Sequence, residues 1–113
     1  MAGVSVSATP RRAVPLSEPD AERLAEVMQA LSSPMRLRIL TVLRDGPTTV
    51  TDLCELVGAG QATVSNHLRL LRHVSLVTGD RHGRHIFYTL YDKHVADLLD
   101  EAVGHIGHLG RPD

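Results

Sequence analysis

Apolar residues recur along the chain at helical spacing, change once to strand spacing, and return to helical spacing. In "PDAERLAEVMQAL", Leu24, Val27, Met28 and Leu31 fall at steps of three and four. That predicts one apolar face on a first helix starting near Pro19-Asp20, since Pro suits a first turn. "SSPMRLRILTVLRDGP" predicts a second helix. Ser33 is placed to cap it, Pro34 to open it, Leu37, Leu40 and Leu43 to face inward, and Asp45-Gly46-Pro47 to stop it. "TTVTDLCELVG" predicts a third, shorter helix, with Thr49 and Asp52 spaced as a capping pair and Gly58 at its end. "QATVSNHLRLLRHV" predicts a fourth, with Val64, Leu68 and Leu71 on one face. Two helices joined by a few residues that include Gly are the mark of a helix-turn-helix.

"LVTGDRHGRHIFYTLY" then switches period. Two β-favouring runs flank Arg81-His82-Gly83-Arg84, which reads as a hairpin tip. A last helix begins at Asp92. The expected fold is mainly α with a small β-hairpin, a winged helix-turn-helix. Its first and last helices are left over for dimerisation. Residues 1–18, rich in Ser, Ala, Val and Pro, show no period and read as a flexible arm. Residues 19–110 read as one DNA-binding and dimerisation domain.

Bulk properties narrow the class. A chain of 113 residues is one domain, and 42% apolar residues with 3% aromatic make a modest, aliphatic core. So small a domain gains from burying further surface against a second copy. One cysteine, Cys54, excludes an intrachain disulfide and a multi-cysteine zinc site. The chain has neither an apolar run of membrane-spanning length nor the apolar core of a signal peptide at its start, so a cytoplasmic protein without a membrane partner is expected.

A formal net charge of −1 does not announce a nucleic-acid binder, so the evidence must come from where the charges sit. At ~100° per residue, Ala62, Asn66, Arg69 and His73 fall opposite the apolar face of the fourth helix, with Thr63 and Ser65 beside them. A recognition helix needs this division: one face anchored, the other carrying groups that reach base edges. Gln61 and Asn66 can pair bidentately with adenine, and Arg69 can take guanine or phosphate. An ordinary amphipathic helix would show the same division, and the adjoining turn and wing are what favour DNA. Between Gln61 and Arg84, four arginines face one acid, Asp80. Arg81 and Arg84 are placed to meet phosphate or a minor groove. The candidate DNA-binding set is Gln61, Thr63, Ser65, Asn66, Arg69, Arg81 and Arg84, for double-stranded operator DNA. His67 lies nearer the apolar side and reads as a packing residue.

The last helix carries Asp92 and His94 at its start, and His105 and His108 at its end. Eleven residues turn the helix by about 1,100°, which leaves His94 and His105 roughly 20° apart around the axis and ~16 Å apart along it. One helix cannot bring both ends to one ion. Two antiparallel copies can, because a two-fold axis sets the start of one helix beside the end of the other and makes two identical sites. Val95, Leu98, Leu99, Ala102, Val103 and Ile106 form an apolar stripe along the same helix, suited to a homodimer contact. Three imidazoles and a carboxylate suit zinc, cobalt or nickel.

The chain resembles the ArsR/SmtB family of metal-responsive repressors from about residue 20 to residue 108. The resemblance is carried by "ALSSPMRLRIL", "VTDLCELVG", "QATVSNHLRLLR", the wing, and the last-helix pattern Asp92, His94, His105, His108. It implies a dimer built from the first and last helices, and metal bridging the protomers. It also implies an inverted-repeat operator that the metal-free protein binds and that metal loosens. The final histidine is similar to the nickel/cobalt-sensing branch, so nickel is the metal expected first, with cobalt or zinc as alternatives. The family's third-helix thiolate positions are Thr49 and Thr51 here, which argues against sensing of soft metals there. No histidine lies in "MAGVSVS" to extend the ligand set, and Ser75 stands where the family usually has glycine after the recognition helix.

Two other functions fit the residues. One is a DNA-binding regulator with little metal response, controlled by a regulatory protein partner. The other is a metal-buffering protein that uses the helix-turn-helix only as scaffold. An enzyme is not expected: no activated serine or cysteine is visible, and the His/Asp set looks closed to substrate.

Overall fold

A computed structural model describes residues 12–108 of the chain. Residues 1–11 of the expected arm, and 109 and 110 at the end of the expected domain, lie outside the described residues. The elements run α1 Glu18–Ala30, α2 Pro34–Arg44, β1 Thr48–Thr49, α3 Val50–Val57, α4 Gln61–His73, β2 Val77–His82, β3 His85–Leu90 and α5 Lys93–His108.

Local chemistry accounts for most of these boundaries. The Ser17 hydroxyl accepts from the Asp20 amide at 3.3 Å, so α1 begins slightly before Pro19-Asp20, with the proline inside its first turn. Ser33 caps α2 through the Arg36 amide at 3.2 Å. Thr49 caps α3 through the Asp52 amide at 3.2 Å, and Gly58 ends that helix in a left-handed conformation at φ 69°. Asp92 caps α5, its Oδ1 accepting from the Val95 amide at 3.2 Å.

Three expectations need correcting. The wing is a three-stranded antiparallel sheet in the order β1-β3-β2, not a lone hairpin. Thr48 and Thr49 sit extended ahead of the α3 cap and pair with Tyr88 and Phe87. In α2 the buried arc is formed by Ile39, Leu40 and Leu43, whereas Leu37 is 39% exposed. By helical geometry Leu37 lies ~60° beyond Leu40 around the axis, outside an apolar stripe about 100° wide. The hairpin tip is also shorter than expected: His82 pairs with His85, leaving Gly83 and Arg84 as a two-residue turn. Gly83 supplies its positive φ of 67°. Arg81 therefore belongs to β2.

The core is aliphatic. Ile39, Leu40, Leu53, Val64, Leu68 and Leu71 are nearly inaccessible, and Leu76, Val77, Tyr88, Val95 and Leu99 extend the cluster to the sheet and α5. Gly79 of β2 lies opposite Tyr88, and a Cβ there would meet the Tyr88 ring at 3.1 Å, so a bare strand position lets the ring settle. α5 docks by its first half only. Val95 and Leu99 are buried, and Asp100 accepts from Arg44 of α2 in a two-pronged contact at 3.0 and 2.8 Å. That hydrogen bond holds Asp100 below the usual carboxylate range. The contribution of this contact is present above the ordinary carboxylate pKa and is lost as pH falls through the lowered one.

The recognition-helix candidate α4 ends on a double hydrogen bond. The Leu76 amide donates to the Leu71 carbonyl at 2.9 Å and the Ser75 amide to the Arg72 carbonyl at 3.0 Å. This closure demands a left-handed residue between, and Ser75 takes it at φ 60°, alone among the non-glycine described residues. A side chain there costs about 1–2 kcal/mol, and glycine costs back part of that in the unfolded chain. Ser75→Gly is expected to stabilise the fold by about 0.5–1 kcal/mol, read as a higher melting temperature with unchanged DNA binding. A lower melting temperature would mean that the serine hydroxyl contributes something beyond the backbone geometry.

Candidate functional site

The turn between α3 and α4 sets Val64, Leu68 and Leu71 into the core and turns the opposite face of α4 outward. Gln61, Thr63, Asn66 and Arg69 are exposed, and Ser65 is half-buried. Arg69 Nη1 donates to Asn66 Oδ1 at 2.9 Å, so these two side chains form one unit on the surface. Ser65, Arg69, Arg72, His73 and Tyr88 line a groove between α4 and the wing. Gln61 and Arg84 line a second groove, where the start of α4 faces the hairpin. The exposed side of α4 and the wing thus form one continuous surface. Arg81 is also exposed, its Nη1 donating to the Gly83 carbonyl at 3.5 Å. Arg72 and His73 line the same groove but are not among the candidate DNA-binding residues, although His73 falls on the outer face of the helix and Arg72 in the basic patch. The signal was present for Arg72, because Ser65, Arg69 and Arg72 stand at i, i+4 and i+7, a single stripe.

His67 is half-buried, as a packing residue should be. Its Nδ1 lies 3.4 Å from Arg36 Nη1 of α2. Arg36 and Arg38 also stitch helix ends together. Arg36 Nε donates to the Ala30 carbonyl at 2.7 Å, and Arg38 Nη1 donates to the Val57 carbonyl at 3.0 Å. Sequence periodicity could not have found these contacts, which depend on how helix ends meet in space.

The four metal candidates stand at the two ends of α5. Asp92 and His94 are together at the start of α5, with Asp92 Oδ2 3.4 Å from His94 Nδ1. Burial pushes the Asp92 carboxyl up, but the Val95 amide and the His94 ring outweigh it, and the net shift is downward. Asp92 is therefore held as an anion, with Oδ1 committed to the helix cap. The His94 side chain is almost fully exposed. His105 and His108 are exposed on the last two turns. Among the described residues, no three His, Cys, Asp or Glu side chains of a single chain converge where a metal could be held. Thr49 spends its hydroxyl on the α3 cap, and Cys54 is a half-buried free thiol.

Comparison with known proteins gives this architecture its family. The family model for bacterial regulatory proteins of the arsR family matches residues 33–78, from the α2 cap to β2. The HTH-type transcriptional regulator NmtR of Mycobacterium tuberculosis H37Rv is 52% identical over 107 residues, covering 95% of this chain and 89% of the relative. This chain belongs to the ArsR family. A cadmium resistance transcriptional regulatory protein, a CadC homolog of Staphylococcus aureus, is 35% identical over 73% of this chain and 69% of its own length. The solution structure of apo-NmtR aligns with TM-score 0.71 at 51% identity, covering 98% of this chain and 95% of that one. A homodimeric winged helix-turn-helix DNA-binding domain from Mycobacterium bovis, a possible ArsR-family regulator, aligns with TM-score 0.73 at 28% identity, covering 87% and 97%. As an ArsR-family member the chain is a winged helix-turn-helix transcriptional regulator that binds DNA, not an enzyme. No helix among its described residues is long and apolar enough to cross a membrane.

Proposed function

We propose that the protein is a metal-responsive regulator that binds operator DNA as a homodimer. Nickel, or a chemically similar divalent ion such as cobalt or zinc, would sit at two sites shared between the protomers. The observation that carries the dimer is the second half of α5. Glu101 to His108 are helical yet exposed at every position, and the segment contains Gly104 and Gly107. Each glycine disfavours a helix by about 1 kcal/mol relative to alanine. A helix with no buried face and two weak positions needs a partner to cover it. Leu98, Val103 and Ile106 of α5, with Leu24 and Met28 of α1, provide the uncovered apolar surface.

Antiparallel pairing of α5 would bring Asp92 and His94 of one protomer to the partner subunit's His105 and the partner subunit's His108. The donor chemistry fits a first-row divalent ion. Three imidazoles are borderline-soft ligands, and Asp92 supplies one anionic oxygen while its other oxygen keeps the cap. Asp92 Oδ2 would exchange its contact with His94 for the ion, leaving the helix start undisturbed. The same residues disfavour arsenic, lead or cadmium, which prefer thiolate. Residues 19–110 would then be one DNA-binding and dimerising unit, acting on DNA in the cytoplasm.

On DNA, Gln61, Thr63, Ser65, Asn66 and Arg69 would enter the major groove, with Arg81 and Arg84 meeting the backbone or an adjacent minor groove. Metal binding would change the angle between protomers and so the spacing of the two recognition helices. The coupling is reciprocal: operator DNA must weaken metal binding by the same factor by which metal weakens operator binding. Calorimetric titration of nickel, cobalt and zinc, with and without operator duplex, tests the proposal. No metal binding, or metal binding that the operator duplex leaves unchanged, would remove it.

The Asn66–Arg69 contact makes a sharper prediction for the reading face. Asn66→Ala and Arg69→Ala are each expected to weaken specific binding by about 1–3 kcal/mol. The double variant should lose less than the sum, because each single change already dissolves the shared unit. Arg84→Ala should weaken all sequences alike and flatten the salt dependence. Wild-type affinity in both α4 variants would place base reading elsewhere.

A further inference from the structure

α1 and α4 belong to different parts of the molecule, one to the uncovered apolar surface and one to the DNA-reading face. A single side chain of α2 joins them. Arg36 donates through Nε to the Ala30 carbonyl at 2.7 Å and through Nη2 to the Gln29 carbonyl at 3.4 Å, which are the last carbonyls of α1. Its remaining arm, Nη1, lies 3.4 Å from Nδ1 of His67. His67 sits in the middle of α4, next to Asn66 in the chain, and is half-buried beside α2. A guanidinium has only donors, so Nδ1 of His67 must be the acceptor, and it can accept only when the ring is neutral with its hydrogen on Nε2.

We propose that Arg36 and His67 are positioning residues for DNA recognition, forming a bridge that fixes the angle of α4 against the end of α1 while the His67 ring is neutral. A proton on Nδ1 would replace an acceptor with a second donor pointed at a guanidinium. The bridge would open, and α4 would lose one of the contacts that orient its reading face. Burial, and after it the Arg36 charge, lower the His67 pKa, consistent with a ring held neutral by this surrounding. The other charged or titratable groups beside Arg36 are Glu26 of α1 and His73 of α4, which line the same groove. Neither makes the contact that Arg36 makes with His67.

The inference rests on the reading of α4 as the recognition helix, but not on the metal site. The sign of its pH effect is fixed. A histidine whose folded pKa is lowered favours the assembled state above its ordinary pKa, and that advantage is lost as pH falls through the lowered value. Binding of phosphate depends on the overall charge of the protein and therefore on pH in general. The test therefore compares variants at each pH rather than reading one profile.

Anisotropy titrations would use chelator-treated protein and a duplex selected by the wild type from a random-sequence pool, between pH 5.5 and 8. His67→Gln keeps an acceptor for Arg36 and cannot titrate. The wild type is expected to match His67→Gln at pH 8 and to bind severalfold more weakly at pH 5.5, approaching the roughly tenfold limit that one pKa unit between free and bound states would set. His67→Leu should bind more weakly at pH 8, with circular dichroism and sedimentation showing the fold and assembly of the wild type. An equal pH profile for wild type and His67→Gln would overturn the inference, and so would wild-type affinity in a folded His67→Leu. If the variants do not fold, or the wild type selects no duplex, proton-coupled NMR of the wild type alone decides. The amides of Ala30, Leu31 and the α4 residues around His67 should shift with the midpoint of the His67 ring. Independent midpoints on α1 and α4 would mean there is no bridge. Failure to select any duplex would count against the proposed function, whereas a missing shared midpoint counts against the bridge alone.

Discussion

Leu98→Glu is expected to yield a folded monomer that no longer holds operator DNA. Leu98 is 37% exposed in the single chain, beside Val103 at 54% and Ile106 at 48%. A glutamate there meets water in the monomer, so the core formed with Val95 and Leu99 is left intact. In an antiparallel α5 pairing the same carboxylate would be buried in an apolar seam without a partner, and in both copies at once, which strongly disfavours association. Binding of two half-sites then becomes two separate events. Loss of the linkage between recognition helices reduces apparent affinity on the order of a hundredfold or more. Sedimentation should report a monomer, and far-UV circular dichroism should lose only a little helix, from the uncovered second half of α5. A dimer with full operator affinity would place the interface elsewhere.

The element order was legible because it is written in local signals. Ser33 with Pro34, Thr49 with Asp52, Gly58 and Asp92 are caps or stops whose chemistry acts over three or four residues, and the helix boundaries fell where those residues stand. What was not legible depended on contacts between distant segments. Thr48 and Thr49 read as the approach to a helix, and only their proximity to Tyr88 and Phe87 makes them a strand. Leu37 fits the α2 pattern as well as Leu40 does, yet the side of α2 that is buried was decided by its neighbours, which take in Ile39 instead. The Ser75 oddity was visible as a residue in the place of a glycine, and its left-handed backbone gives it a physical meaning.

The site divides along the same line. Which α4 residues face outward follows from three core positions and a period of 3.6, and these residues are on the surface as expected. That Asn66 and Arg69 act as one unit, and that Arg36 reaches both α1 and His67, required side-chain positions. The metal candidates are a different case. Their placement at two ends of one helix is clear in sequence, but the partner that would complete each set is a second copy of the same chain. No single-chain pattern carries its geometry.

Mixed dimers give the shared-site proposal its most demanding prediction. One chain would lack Asp92 and His94, and the other would lack His105 and His108, each with alanine in their place and a different affinity tag. If the sites are shared, one site of the heterodimer combines the two damaged ends and keeps no ligand. The other combines the two intact ends and keeps the complete set. Half the wild-type stoichiometry is then expected, at near wild-type affinity. If each helix end bound metal by itself, the heterodimer would instead show two weak sites, and each single-chain homodimer would retain half its weak binding. The shared arrangement makes both homodimers bind poorly, because every site in them has lost one end. Acid should release the ion from the surviving site, since a ligating imidazole must give up its proton, through the pH range where histidine ordinarily titrates. Asp92 is held below the usual carboxylate range and stays anionic throughout that range, so the release should follow the histidines alone. Two weak sites, or binding indifferent to pH between about 5 and 8, would rule out a metal shared between the ends of antiparallel α5 helices.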